Sequence, residues 1–257
     1  MNMRILILAL LLLVGQNALC STVVKVGGYL FPPFVNVTSG KPSGLTLDLI
    51  QLLNEQQSEF EFQFVLTSPK RRYPDFKRQS FDALFFENKQ WGWQEKDISA
   101  SHVFLTGGEV YITKKTGNKT QNYFNNIQQK SLAAILGYHY QFADFNSDEK
   151  FLKSNFNIEL ATSPSTIINQ VISERVEIGI VTRSFLAKML FNNPHYINKI
   201  LASNKFDQVY KHTILVRNQH PLTINKINAL LTKISQNGSL DELLKRYGLT
   251  KSAIGSM

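Results

Sequence analysis

The two tryptophans of this 257-residue chain stand two positions apart in one loop, Trp91-Gly92-Trp93. Their faces suit flat, cyclic or cationic groups through stacking and cation–π attraction. The same pair suits an apolar plug that packs the loop onto its own domain. Basic chemistry is densest at Lys70-Arg71-Arg72, with Lys77-Arg78 close behind. Nucleic-acid binders join such a stripe to a recognisable motif, and none is present. The 28 basic residues against 19 acidic ones therefore read as a soluble basic surface, suited to the neighbourhood of anionic envelope polymers. Metal chemistry is not indicated: the five histidines, at 102, 139, 195, 212 and 220, form no HxxxH or HExxH spacing. A single cysteine excludes a disulfide framework and a cysteine-based zinc cluster. No P-loop or catalytic signature occurs, and no cofactor is expected.

The elements that must carry these residues begin after an export segment. Arg4 precedes ten apolar residues, 5–14, and Ala18-Leu19-Cys20 offers small residues where a signal peptidase reads. Ten residues make a helix of about 15 Å, roughly half a bilayer core, so a cleaved leader is expected rather than an anchor. Cleavage near Cys20 leaves a cysteine-free chain from Ser21, with 27 basic against 19 acidic residues and a periplasmic destination. The other reading, a lipoprotein acylated at Cys20, meets Leu19 where a small residue is needed. The sequons at Asn36 and Asn118 read as chance matches. Hydrophobic residues at 43% and charged ones at 18% exclude disordered and fibrous classes.

Beyond the leader, strand-like and helix-like segments alternate, the mark of an α/β fold. Strands are predicted over 23–29, 60–66, 81–86 and 103–114, the last broken by Gly107-Gly108. Helices are predicted over 45–55 and 69–78. From Ser131 the alternation starts afresh, with strands at 132–136, 158–161, 178–181 and 211–216. Helices follow from about Tyr140, from Ser163-Pro164 with Ser163 as N-cap, and over 185–191, 224–234 and 240–247. Two α/β units result, with crossing strands expected at 110–115 and 208–214.

Three segments resemble one family. They are residues 24–34 (VKVGGYLFPPF), residues 44–49 (GLTLDL), and the pair Phe81-Asp82-Ala83 and 175–180 (RVEIGI), which resemble two strand entries, one per lobe. As an ordered set these are similar to periplasmic solute-binding proteins of the polar-amino-acid type. The resemblance implies a type II, Venus-flytrap architecture: two α/β lobes joined by two crossing strands, with 21–112 and 210–257 as one lobe and 113–209 as the other. It implies a monomer that captures a small-molecule ligand by hinged closure and presents it to an ABC importer permease or a membrane sensor.

The resemblance also implies three grips on an α-amino acid: a Thr-x-x-Arg clamp on the carboxylate, helix N-terminal amides beside it, and an Asp on the ammonium. This sequence departs from that pattern. No arginine occurs between Arg78 and Arg175, and the Asp position falls on Thr182. Only the helix start persists, as Gly137-Tyr138-His139-Tyr140. Since each charge-assisted bond is worth about 1.5–3 kcal/mol, ordinary zwitterionic amino acids are expected to bind weakly or not at all.

Aromatic residues fall where the family's ligand contacts lie: Tyr29, Phe34, Trp91, Trp93, Tyr138 and Tyr140. Glu87 would receive a ligand cation or pair with a neighbouring lysine. Arg71 or Arg72 would replace the anion clamp or form a solvated basic face, and Arg183 is a second replacement. His139 would donate to an anion or lie on the surface, and Asp48 supports local hydrogen bonding. The expected function is a periplasmic binder of a small polar or aromatic solute. The alternatives are a cyclohexadienyl dehydratase-like enzyme with Glu87 as general acid, and lobes that stay closed as an interaction module.

Overall fold

The computed structural model describes residues 21–250; the expected export segment and cleavage site lie outside the described residues. β1 (Thr22–Gly28) pairs in parallel with β4 (Phe60–Leu66) and β5 (Ala83–Glu87). Between β1 and β4 lie the hairpin β2 (Asn36–Thr38) and β3 (Lys41–Ser43), and helix α1 (Leu45–Gln56). The helix buries Leu45, Leu49, Ile50 and Leu53, a spacing that keeps one apolar stripe toward the sheet. A short α2 (Arg72–Lys77) connects β4 to β5. Its predicted first turn, from residue 69, is instead a non-helical turn that Ser68 anchors by accepting from the Arg71 amide.

The chain then runs through β6 (Ile98–Ala100) and β7 (Leu105–Lys114) into a second α/β half. Here β8 (Leu132–Ile135), β9 (Ile158–Ala161) and β10 (Ile178–Thr182) line up parallel in the order β10-β8-β9, and β10 joins β7 antiparallel. Helix α3 (Glu149–Asn155) precedes β9, α4 (Pro164–Ile172) follows it, and α5 (Arg183–Asn192) follows β10. Ser163 caps α4 by accepting from the Thr166 amide, with Pro164 in the first turn, as its sequence signals.

The halves are joined by β11 (Ile200–Arg217), 18 residues long. From Ile200 to His212 it pairs antiparallel with β7, and from Thr213 it pairs with β5 and then β6. One strand thus belongs to both halves, and its change of partner lies inside the predicted 208–214 crossing. On the companion strand the pairing with β11 starts at Leu105, ahead of the predicted 110–115. Helices α6 (Ile224–Gln236) and α7 (Ser239–Arg246) return to the first half, where the Tyr247 hydroxyl donates to Asp48 on α1 at 2.8 Å.

Two local expectations fail for physical reasons. Gly107 and Gly108 do not break β7. A Cβ at either would stand 2.4 Å from a ring of β11, Tyr210 or Phe206, so the glycines admit aromatic side chains across the ladder. No helix begins at Tyr140. A single 3-10 turn, Gln141–Ala143, forms instead, and α3 waits until Glu149. The first half of β11 carried no strand expectation, because its buried positions include Ser203, Asp207 and Gln208 rather than an apolar row.

Candidate functional site

The site lies where β1, β5, β7, β8 and β11 bring their ends together, and it is built mostly of rings. Tyr29 and Phe31 follow β1, Trp91 follows β5, and Tyr138 follows β8. Phe31 stands nearly perpendicular to Trp91 (85°, 5.9 Å) and to Tyr138 (85°, 5.6 Å). Tyr138 meets Tyr29 at 75°. These edge-to-face contacts form the walls of a box. Arg72 and His139 complete the sides, and the paired strands β7 and β11 contribute Glu109 and Gln208. The enclosed void is about 10 Å³, room for about one water.

Beside the void sits a buried ion pair. Arg72 and Glu87 are each 1% exposed, with Arg72 Nε facing Glu87 Oε1 at 3.5 Å. Neither atom has a hydrogen bond, so the contact is a charge pair without donor geometry. The rest of the guanidinium is engaged: Nη1 donates to Pro69 O at 2.7 Å and Gly137 O at 3.3 Å, and Nη2 donates to His139 Nδ1 at 3.2 Å. Its plane lies over Tyr29 (4.8 Å) and Tyr73 (4.6 Å). Glu87 Oε2 accepts from Trp93 Nε1 at 3.1 Å. Burial holds the Glu87 carboxyl above the usual range, and Arg72 with donors from Tyr29 and Trp93 draws it back in part.

Arg72 also dictates the state of His139. A guanidinium only donates, so Nδ1 must accept and Nε2 carries the proton, facing the Tyr73 hydroxyl and Ser147 Oγ at 3.3 Å each. Burial first, and the Arg72 charge second, push the imidazole down to about 3, so it stays neutral.

The halves meet through directed bonds. Tyr138 OH donates to Leu30 O at 2.8 Å, and Thr182 Oγ1 donates to Pro32 O at 3.3 Å. Gln208 accepts from Trp91 Nε1 at 3.1 Å and donates to His139 O. Gly137 is the point of closest approach: with φ +82 and a virtual Cβ 2.9 Å from Lys70 Cγ and 3.1 Å from Lys70 N, it accepts no side chain while the halves are together.

Of the residues singled out from sequence, Tyr29, Arg72, Trp91, Tyr138 and His139 line the void. Phe34, Glu87, Trp93 and Thr182 do not. Phe34 backs the wall, packed on Phe31 (4.8 Å), Phe86 (4.7 Å) and His212 (4.6 Å). Trp93 is wholly buried against Tyr73 and Phe76. Thr182 caps α5 by accepting from the Phe185 amide. Glu87 is turned to Arg72 and Trp93 and does not line the void. The buried Tyr140 hydroxyl accepts from the Ile135 amide at 2.7 Å. Arg71 is exposed beside Asp75 at 3.7 Å, and Arg183 lies over the Phe206 ring at 5.6 Å.

Sequence reasoning missed Phe31, Glu109, Asp207 and Gln208. An acidic residue inside the otherwise apolar stretch 109–112 (EVYI) was the available signal for Glu109. Asp207 comes from a bulge: Phe206 pairs with Val110 and Gln208 with Glu109, which leaves Asp207 as the extra residue. Its carboxylate accepts from Tyr111 OH (2.6 Å) and from the amides of Gln141 (2.9 Å) and Phe142 (3.0 Å). The Gln141 and Phe142 amides, just beyond the expected helix start at 137–140, are thus taken by the protein's own acid.

His212 lies fully buried among these rings. Nδ1 is 2.9 Å from Phe86 O and must donate to it, which leaves Nε2 bare. Burial lowers its pKa to about 3, with the Phe86 bond opposing. From pH 6.5 down to about 3, the unfolded chain therefore binds a proton that the folded chain refuses, and stability falls with falling pH. His212 contributes about 1.4 kcal/mol per pH unit to that slope. The buried carboxyls Glu87, Glu109 and Asp207, whose folded pKa values are raised, act with the opposite sign. The contribution is read as the difference between wild type and His212→Asn, which keeps a donor for Phe86 O. Urea unfolding at pH 4.5–7 should show that difference; parallel curves would discard the buried neutral imidazole.

Two α/β halves, joined by paired strands and closing on a ring-lined void, define a bilobed type II binding protein. Residues 24–250 match the sequence profile of the bacterial extracellular solute-binding proteins, family 3, and the chain belongs to that family. No curated protein sequence matches it significantly. Solved structures share its fold at low identity. One is an ABC uptake transporter substrate-binding protein from Streptococcus pneumoniae with bound histidine (16% identity, 88% of this chain, 92% of that one, TM-score 0.69). Another is the GluR0 ligand-binding core from Nostoc punctiforme with L-glutamate (14%, 87% and 98%, TM-score 0.67). A third is an ancestral amino acid-binding protein, a precursor of cyclohexadienyl dehydratase (18%, 88% and 95%, TM-score 0.68).

Proposed function

We propose that this chain captures a small polar or aromatic solute between its lobes, outside the cytoplasmic membrane, and presents it to an ABC importer or a membrane sensor. An ordinary free α-amino acid is not that solute. One observation carries this reading: the arginine clamp and the acid for an ammonium are missing, and the guanidinium and amides nearest the void are engaged within the protein. No arginine lies between Arg78 and Arg175. Thr182, in place of an acid, caps a helix and bonds to Pro32 O. Asp207 fills the Gln141 and Phe142 amides. Arg72, the one guanidinium in the void's lining, is engaged by Glu87, two carbonyls and His139. What remains for a ligand is mostly aromatic surface, Trp91 included, with Glu109 and Gln208 beside it.

A thermal-shift screen of amino acids, amines, cyclic acids and flat aromatic solutes tests the reading. A ligand present at one hundred times its Kd should add about 2.7 kcal/mol of stability, and Trp91→Ala should abolish that response. Micromolar binding of glutamine, histidine or another common amino acid would overturn the exclusion. Silence across the whole library would remove the binder.

A further inference from the structure

The carboxylate grips are taken, yet the void keeps one acid of its own. Glu109 is 2% exposed on β7, in the lining, opposite Gln208 and Thr182 in the strand register. Arg72, across the void, is neutralised by Glu87. The faces of Tyr29, Phe31, Trp91 and Tyr138 surround the same space at steep mutual angles. One of these rings already meets a cation: the Arg72 guanidinium lies over Tyr29 at 4.8 Å. Cation–π contacts are stronger when desolvated than at exposed sites, and an acid in the lining of such a box supplies the counter-charge.

Resting on the binding function above, we propose that the cleft selects a compact organic cation without a carboxylate, held on these ring faces with Glu109 as its counter-charge. The walls come from both halves of the molecule, so the void widens as the halves part and re-forms around the guest. In the closed box, burial and the neighbouring Asp207 charge hold the Glu109 carboxyl well above its ordinary range. The titratable groups around it are Asp207, Tyr138, Tyr140 and Tyr210, with Arg72 and His139 across the void. A cation entering the box would draw the proton off and restore the charge that attracts it.

Three probes of one shape test this by calorimetry. They are choline, its uncharged isostere 3,3-dimethylbutan-1-ol, and glycine betaine, which adds a carboxylate. Choline should bind at least about tenfold more tightly than either of the others. Glu109→Gln, an isostere of the neutral acid, should keep the wild-type melting temperature and lose at least tenfold in choline affinity. Equal binding of the alcohol or of the betaine overturns the proposal, and so does choline binding that Glu109→Gln leaves intact. The wild-type comparison stands even if the variant fails to fold. A neutral flat solute that binds while choline does not would overturn this inference and leave the binding function standing. Silence from every class would overturn both.

Discussion

Glu87→Leu is expected to cost about 3–5 kcal/mol of folding stability, because it strands a guanidinium that is 1% exposed. The Coulomb partner disappears while Arg72 keeps its charge, and its Nε, already without a hydrogen bond, then faces only apolar atoms. For a chain of this size each kcal/mol shifts the melting temperature by about 2–4 °C. The single variant should therefore melt about 6–20 °C below wild type. Arg72→Met should do comparable damage by stranding the carboxylate and by releasing the bonds to Gly137 O and His139, which tie the halves together. The double variant, Arg72→Met with Glu87→Leu, should recover much of the loss, since a buried pair replaced by apolar groups of similar volume is often near neutral. Urea denaturation of all four proteins closes the cycle. Glu87→Leu within 1 kcal/mol of wild type would show that the two groups do not act as a buried charge pair.

Trp93→Ala is the second large effect, and its contrast with Trp91→Ala separates two roles within one loop. Trp93 is fully buried, tilted against Tyr73 at 4.9 Å and edge-on to Phe76 at 5.4 Å, and it donates to Glu87. Truncation opens a cavity that the surrounding rings cannot refill, at about 3–5 kcal/mol. It also removes a donor from a buried carboxylate, at about 1–3 kcal/mol. Trp91 faces the void, and its indole donates across to Gln208. Its truncation should weaken ligand response more than stability. Denaturation of the two variants beside their ligand response decides the matter. Equal stability losses would mean that the loop acts as one plug.

Much of the architecture was legible because it follows short-range rules. The apolar spacing of α1 and the Ser163-Pro164 start of α4 are local signals, and each lies where its pattern puts it. The ordered segments at 24–34, 44–49 and 175–180 pointed to the family across the whole mature length, and the profile match over 24–250 agrees. Local signals also misled. Gly107-Gly108 read as a break because the rings of Phe206 and Tyr210, about a hundred residues later, are invisible to a window on β7. The helix expected at Tyr140 lost to a single turn whose amides are held by Asp207.

The site itself was legible as a set of residue types and not as an arrangement. Both tryptophans were candidates for the wall, and only their burial tells the lining residue from the plug. Arg72 looked like part of a solvated basic run, since Lys70 and Arg71 just before it are indeed exposed. Its partners are Glu87 at the end of β5 and Gly137 and His139 in the loop after β8. What composition and periodicity determined, then, is two alternating α/β units with an aromatic-rich set of residues after the strands; the expectation of a lost zwitterion clamp came from the family resemblance. Which ring faces the void, which acid meets the guanidinium and which acid is left for a guest were decided only on folding. Charge pairing and burial depend on distances between groups that the chain keeps 15 to 70 residues apart, and a sequence records order along the chain, not those distances.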